Sequence, residues 1–424
     1  MKRTFSNTST KLILLLAITI TQLFTACNQT SMKEEDTTSG TLIKEGTWRV
    51  ALQTQGQEIP FILESEGDQA LYLVNGEERI KLDEIEQQGD SVRIGLHIFD
   101  ADLIARVDNG KMKGRFIKND TGAPYSIPFT AVHGNQNRFK ADPAPASFNY
   151  DGKWEVVFTD KDGKSYDAIG VFKQDGNDLT GTFLTETGDY RYLEGQVDGD
   201  QLKLSTFDGN HAYLFTATPA AGEELKGEFF SGLTGYETWT AKRNEQAKLA
   251  NADSLTFLKP GYEKLSFSFP NLDGKQVSLD DPKYKDKVVI VQLLGSWCPN
   301  CMDETAFLAP YYEQNKDRGL EIIGLGFERS PEFDQAAARL EKMKDRFDIK
   351  YDLLVAGTSD KEAAAKALPA LNHIMSFPTT IFIDRDGKVR KIHTGFSGPG
   401  TGKYYEEFVT DFNKTVDELL AEKE

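Results

Sequence analysis

The chain has 424 residues and a formal net charge of −17 at pH 7, with 66 acidic side chains against 49 lysines and arginines. So acidic a protein has no electrostatic reason to bind nucleic acid or an anionic lipid surface, and we expect no nucleic-acid partner. Three cysteines are too few to form a disulfide scaffold in a chain of this length. The length itself indicates two or three domains.

The N-terminus is predicted to direct export. Three basic residues precede an apolar stretch at residues 12–20, which is shorter than the roughly 20 residues that a membrane-spanning helix needs. Small residues come directly before Cys27, a pattern that resembles a bacterial lipoprotein signal in which residues 1–26 are removed and Cys27 is lipidated. The alternative is an ordinary secretory signal with an incidental Cys27. We therefore expect a protein anchored by lipid in the cell envelope of a bacterium, facing the periplasm or the cell surface.

The region after the signal is predicted to be a tether followed by two β-rich repeats. Residues 27–44 are polar and lack a periodic pattern, which is typical of a flexible tether. Residues 45–133 and 150–243 alternate apolar and polar side chains, and Asp-Gly, Asn-Gly or Gly-Asp pairs recur roughly every 8 to 12 residues. We count about eight candidate strands in each repeat, enough to close a small up-and-down barrel without free edges.

Matching motifs indicate that the two repeats are a duplication. The Gly-x-Trp sequence at residues 46–48 recurs at 152–154, and Lys-Gly-x-Phe at 113–116 recurs at 226–229. The second repeat resembles lipocalin-like (calycin) barrel domains. Its aromatic side chains could line a cavity for an apolar ligand or fill the barrel as core, and core packing is the favoured interpretation.

A pair of cysteines follows a short apolar run in the last part of the chain. Val288–Leu294 is branched and uncharged, which predicts a strand buried on both faces. Pro299 suits the first position of a helix, so Cys298 is predicted to be its N-cap, with Cys301 one turn inside. Backbone amides and the helix dipole stabilise a thiolate there, and the pKa of such thiols falls from about 8.5 to between roughly 3.5 and 7.5.

The surrounding elements alternate between strand and helix, which predicts a mostly parallel sheet with helices on its faces. The predicted elements are a strand at 288–294, a helix at 299–315, a strand at 320–327, a helix at 331–347, a strand at 351–355, a helix at 359–371, a hairpin at 379–384 and 389–394, and a helix at 403–420. A zinc site would need two more ligands, and His373 and His393 have no paired ligand nearby, so we expect no metal.

Residues 262–424 contain two separated motifs of one family. They are Gly-Ser-Trp-Cys-Pro-Asn-Cys at 295–301, with Glu304 in the next turn, and Phe-Pro-Thr-Thr-Ile-Phe-Ile-Asp at 377–384. The domain resembles the membrane-anchored TlpA/ResA-like thiol–disulfide oxidoreductases of the thioredoxin superfamily. The predicted fold is therefore multidomain: an all-β region of two antiparallel barrel-like repeats, followed by an α/β thioredoxin-like domain.

The resemblance implies roles for the residues around the dithiol. Pro378 is expected to be cis and to lie against the cysteines, the alternative being a trans proline at a strand start. Glu304 is expected to tune the pKa of the thiols and to assist proton transfer, the alternative being a solvated first-turn acid like Asp303. Trp297 is expected to shield the disulfide and shape the docking surface.

These observations predict a lipid-anchored extracytoplasmic thiol–disulfide oxidoreductase, acting on protein disulfides or dithiols and most simply as a reductant. Cys298 attacks and Cys301 resolves, so no cofactor is needed, and the resemblance implies re-reduction by a membrane electron-relay protein. One alternative is a thiol peroxidase, although peroxiredoxins need threonine where Gly295 stands. Another is a ligand- or partner-binding lipoprotein whose thioredoxin-like domain is an accessory.

Overall fold

The structure is a computed structural model that describes residues 42–67 and 70–422. The predicted signal peptide, the lipidation site at Cys27 and most of the predicted tether lie outside the described residues. No helix within the described ranges is long and apolar enough to cross a membrane.

The first repeat forms one antiparallel sheet of nine strands. Consecutive strands are neighbours except for β4 and β5, and β1 also pairs with β9, so the order is β4-β3-β2-β1-β9-β8-β7-β6-β5. The strands are β1 Gly46–Thr54, β2 Gln57–Ser65, β3 Leu71–Asn75, β4 Glu78–Leu82, β5 Ile85–Gln88, β6 Ser91–Gly95, β7 Ala101–Asp108, β8 Lys111–Lys118 and β9 Tyr125–His133.

The second repeat forms another antiparallel sheet, and this one closes. Pairing of β11 with β12 completes a ring of eight strands, to which β13 is added at the end of β12. The strands are β10 Gly152–Asp160, β11 Ser165–Asp175, β12 Asp178–Thr185, β13 Gly188–Asp189, β14 Leu193–Asp198, β15 Gln201–Phe207, β16 Ala212–Pro219, β17 Glu224–Ser231 and β18 Gly235–Arg243.

The duplicated motifs occupy equivalent places in the two sheets. β1 and β10 each begin at a glycine with positive φ, Gly46 at 111° and Gly152 at 107°, a conformation that suits glycine. Trp48 and Trp154 are both fully buried, and each indole N–H donates to the carbonyl four residues earlier, at 2.9 and 2.8 Å. The two strands therefore anchor their sheets in the same way.

Aromatic rings fill the interior of the second barrel. Phe158 packs against Phe183, Phe215 and Phe229 with ring centroids 5.2 to 6.2 Å apart, and all four rings are buried. Trp239 lies among them, 5.4 Å from Phe183. The described interior of the second barrel is therefore packed core, in agreement with the favoured interpretation of its aromatic residues.

The last part of the chain alternates strands and helices around a five-stranded sheet. The order is β23-β22-β21-β24-β25, with β21 to β23 parallel and β24 and β25 antiparallel. A small hairpin, β19 Ser268–Pro270 and β20 Gln276–Ser278, precedes it. The remaining elements are β21 Val288–Leu294, α1 Pro299–Asn315, β22 Leu320–Glu328, α2 Phe333–Phe347, β23 Asp352–Thr358, α3 Lys361–Ala367, β24 Thr379–Ile383, β25 Val389–Thr394 and α4 Lys403–Ala421.

The predicted fold class is confirmed, but the first sheet does not close as expected. Its order ends at β4 and β5, and no ladder joins these two strands among the described residues. The two residues between them are instead bound by α2: Arg346 pairs with Asp83 at 2.5 Å, and Lys342 with Glu84 at 2.7 Å. The corner of the first sheet is therefore held by ion pairs to the C-terminal domain.

Candidate active site

The dithiol lies where β21 ends and α1 begins. Cys298 is the N-cap of α1, with an extended backbone (φ −104°, ψ 112°), and Pro299 is the first helical residue. The Cys298 Sγ accepts a hydrogen bond from the Cys301 N–H at 3.2 Å. The two sulfurs are joined in a disulfide, with their Cα atoms 5.2 Å apart. The predicted strand–cap–helix arrangement is confirmed.

The second motif lies against the first. The Phe377–Pro378 peptide bond is cis, as expected, and the Cys298 Sγ lies 3.4 Å from the Phe377 carbonyl oxygen. The Phe377 ring meets Trp297 edge-on, with centroids 5.8 Å apart. The two halves of the family pattern, distant in sequence, therefore form one site.

The two sulfurs differ in access. Cys298 is 5% exposed and Cys301 is fully buried. A partner molecule can thus reach the N-cap sulfur first, while the second sulfur lies behind it.

Glu304 is buried one turn after Cys301 and accepts hydrogen bonds from two side chains. They are the Gln292 amide, at 2.8 Å, and the Thr380 hydroxyl, at 2.5 Å. Burial raises the pKa of Glu304 to about 7. The alternative of a solvated first-turn acid is wrong for this residue, because no part of it faces water.

Residues 259–407 match the family model described as Redoxin. We refer to this matching part of the chain as the Redoxin domain. The "Thioredoxin-like protein YneN" of Bacillus subtilis is 25% identical over 171 residues, covering 40% of this chain and 89% of that protein. The "Thiol-disulfide oxidoreductase ResA" of Bacillus cereus is 26% identical over 159 residues, covering 38% and 78%.

Solved structures are also similar. A thiol:disulfide interchange protein of the thioredoxin family from Chlorobium tepidum is 22% identical, covers 38% of this chain and 96% of its own, and superposes with a TM-score of 0.29. A thiol-disulfide oxidoreductase from Bacteroides fragilis is 18% identical, covers 35% and 99%, and has a TM-score of 0.27. With the Redoxin match, the homologues and the CxxC pair, the prediction of a thioredoxin-superfamily thiol–disulfide oxidoreductase is confirmed at this general level.

A second buried carboxyl in the Redoxin domain was not foreseen from the sequence. Glu328, the last residue of β22, accepts hydrogen bonds from the Ser296 backbone N–H at 2.8 Å and its hydroxyl at 2.7 Å. Burial raises the pKa of Glu328 to about 7. The sequence did contain a signal for this residue. The acidic Glu328 ends β22, and the parallel neighbour of β22 is β21, which leads into the cysteines.

Trp297 is fixed beside the dithiol by a hydrogen bond and a cation–π contact. Its indole N–H donates to the Phe327 carbonyl at 2.9 Å. The Arg329 guanidinium lies 5.3 Å from the ring centroid, within range of a cation–π contact. The ring is therefore held at the rim of the site.

The second β-sheet also contributes to the site, and no feature of the sequence predicted this. The Asn210 side-chain amide donates to the Trp297 carbonyl at 2.7 Å. Asn300, between the two cysteines, donates its amide N–H to the Asp189 carbonyl at 3.3 Å. These contacts join residues far apart in the chain, and no local pattern in the sequence marks them.

Proposed function

We propose that the protein is a lipid-anchored, extracytoplasmic thiol–disulfide oxidoreductase that reduces disulfides of partner proteins in a bacterial cell envelope. The observation that carries the proposal is the Cys298 sulfur, which caps α1, accepts the Cys301 N–H and lies against the cis-proline segment. A thiolate at this position is stabilised by the free amides and the dipole of the helix.

The reaction follows from the placement of the two sulfurs. In the reduced enzyme, the Cys298 thiolate attacks one sulfur of the partner's disulfide, and the partner's other sulfur leaves as a thiolate. Cys301 then loses its proton and attacks the Cys298 sulfur, which forms the Cys298–Cys301 bond and releases the second partner thiol. Two electrons pass to the partner, and the enzyme is left as the disulfide seen in the structure.

Glu304 is proposed to exchange protons with the inner thiol. Glu304 is one helical turn past Cys301 in α1, and burial raises the pKa of its carboxyl to about 7. Near neutral pH, such a group can both accept and return a proton, which matches the need of Cys301 to ionise during resolution.

The anchor and the direction of electron flow rest on the sequence. The pattern before Cys27 supports lipidation, and an exported dithiol used for reduction needs a source of electrons. A membrane electron-relay protein is the proposed source, in line with the resemblance to TlpA/ResA-like enzymes.

Removal of each sulfur tests the mechanism in a soluble Cys27→Ser background, which also removes the third thiol. The reduced parent should reduce insulin disulfides, and the Cys298→Ser variant should have no activity because the attacking sulfur is gone. The Cys301→Ser variant should accumulate a mixed disulfide with its partner, visible as a gel shift that a reductant reverses.

Two results would contradict the assignment. One is full insulin-reducing activity in both variants. The other is rapid conversion of Cys298 to sulfenic acid by hydrogen peroxide together with no exchange with insulin, which would instead support the thiol peroxidase.

A further inference from the structure

A short segment of the second sheet covers the dithiol face of the Redoxin domain. We define the cover segment as residues 187–191, which includes β13. The Ser376 hydroxyl, next to the cis-proline motif, donates to the Thr187 carbonyl at 2.6 Å. The Gly398 N–H donates to the Asp189 carboxylate at 2.7 Å. The cover segment is thus bonded to two loops of the Redoxin domain, one of which carries the cis-proline motif.

Arg191 is the central contact of the cover segment with the Redoxin domain. Its guanidinium donates to the Pro299 carbonyl at 2.8 Å, between the two cysteines, and to the Asp303 carboxylate at 2.5 Å. It also pairs with Glu78 of the first sheet. The Arg191 side chain is only 3% exposed. One side chain therefore joins both β-sheets to the first turn of α1.

The charges around Arg191 make the closed arrangement depend on it. Glu78 and Asp303 both pair with the buried Arg191 guanidinium, and the Asp189 carboxylate accepts the Arg191 backbone N–H at 2.6 Å. Removal of the Arg191 guanidinium would leave the Glu78 and Asp303 carboxylates without this partner, which is strongly unfavourable away from water. Loss of Arg191 should therefore favour separation of the cover segment from α1.

The cover segment lines a cavity beside the dithiol. This cavity of about 360 Å³ is bounded by the cover segment, by Tyr213 and His211 of the second sheet and by Asn300 and Met375 of the Redoxin domain, and neither cysteine lines it. Small-molecule sites begin at roughly this size, about 300 Å³. A protein loop that must place its sulfur in contact with Cys298 meets the cover segment at Asn300, Pro299 and Ser376, whereas a small disulfide needs less of this surface.

We propose that residues 187–191 are an intramolecular gate that excludes protein partners from Cys298 in the closed state, and that Arg191 is its latch. The gate opens by release of the Arg191 contacts, which frees the surface around the cysteines and the cis-proline segment for a partner polypeptide. This inference rests on the proposed function. It adds that partners are selected by their size and that a protein partner reacts only when the gate is open.

The test compares exchange rates of the reduced full-length Cys27→Ser protein with a small disulfide, glutathione disulfide, and a protein disulfide, insulin. Arg191→Ala should raise the rate with insulin at least about tenfold more than the rate with glutathione disulfide, because loss of one partner of a buried ion pair shifts an equilibrium by such factors. Asn210→Ala loses a single hydrogen bond to Trp297 and should also raise the rate with insulin relative to that with glutathione disulfide, by a smaller factor. This second variant keeps the test decisive if Arg191→Ala does not fold.

Arg138→Ala is the matched control. Arg138 is also a buried arginine, paired with Glu194 at 2.7 Å, and it bonds the Val74 carbonyl of the first sheet. Its removal should leave the ratio of the two rates unchanged. The gate would be overturned if Arg191→Ala changed the exchange rates with both disulfides equally. It would also be overturned if neither Arg191→Ala nor Asn210→Ala changed the rate with insulin. Absence of exchange with either disulfide in the parent would instead overturn the proposed function.

Discussion

At the scale of single residues, the redox site contains two buried carboxyls whose pKa values lie near neutrality. The pKa values of Glu304 and Glu328 are both raised to about 7 by burial. A carboxyl whose pKa is higher in the folded than in the unfolded chain binds more protons when folded, so it lowers the free energy of unfolding as pH rises. These residues are therefore kept at a cost to stability, as is common at functional sites.

Glu304→Gln tests this cost. The amide resembles the protonated acid and carries no charge, so the variant should lose the decrease in unfolding free energy that the parent shows between about pH 4.5 and 7. Above pH 7 the variant should be more stable by about 3 kcal/mol, from 1.36 kcal/mol per pKa unit, with little difference below pH 4.5. Denaturant unfolding of the oxidised proteins at several pH values measures the difference.

Glu313→Gln provides the control for that experiment, because Glu313 lies on the exposed side of the same helix. It should change stability by no more than about 0.5 kcal/mol at any pH. A Glu304→Gln variant with the same pH dependence as the parent would contradict the assignment of a raised pKa.

At the scale of elements, the local pattern of the sequence predicted the site well. Val288–Leu294 and Pro299–Asn315 were predicted with the bounds that the structure has. An apolar run, a helix-compatible proline and a capping cysteine are all local signals, so neighbouring residues are enough to place them. We expected the first sheet to close, but β4 and β5 do not pair. The two residues between them instead form ion pairs with α2, far away in the chain, and no local pattern reveals such contacts.

The duplicated strands give a prediction of their own. Trp48→Phe and Trp154→Phe each remove an indole donor and leave a carbonyl, of Lys44 or Tyr150, without that partner. Each should lower the free energy of unfolding by about 1–3 kcal/mol. The effect of Trp154→Phe should be at least as large, because its hydrogen bond is more deeply buried. Chemical denaturation with intrinsic fluorescence measures both.

Tyr236→Phe is the comparison for the tryptophan variants. Tyr236 is 38% exposed on the second sheet, so loss of its hydroxyl should cost no more than about 0.5 kcal/mol. Tryptophan variants as stable as Tyr236→Phe would show that the two strands are not anchored by these hydrogen bonds.

At the scale of the whole molecule, the relation between the β-sheets and the dithiol is what the sequence could not reveal. Arg191 and Asn210 lie in loops of the second repeat, yet they bind the carbonyls of Pro299 and Trp297. Such contacts depend on how the repeats pack against the Redoxin domain, and neither periodicity nor motif spacing encodes that packing. The resemblance that identified the cysteines covers only the domain that carries them.

The central claim is that Cys298 is an ionised, attacking sulfur at the start of α1. It is tested most directly by the pH dependence of thiolate absorbance in the reduced full chain carrying Cys27→Ser and Cys301→Ser, in which Cys298 is the single thiol. We predict a pKa clearly below the value of about 8.5 for a free cysteine. A pKa at or above that value would contradict the account.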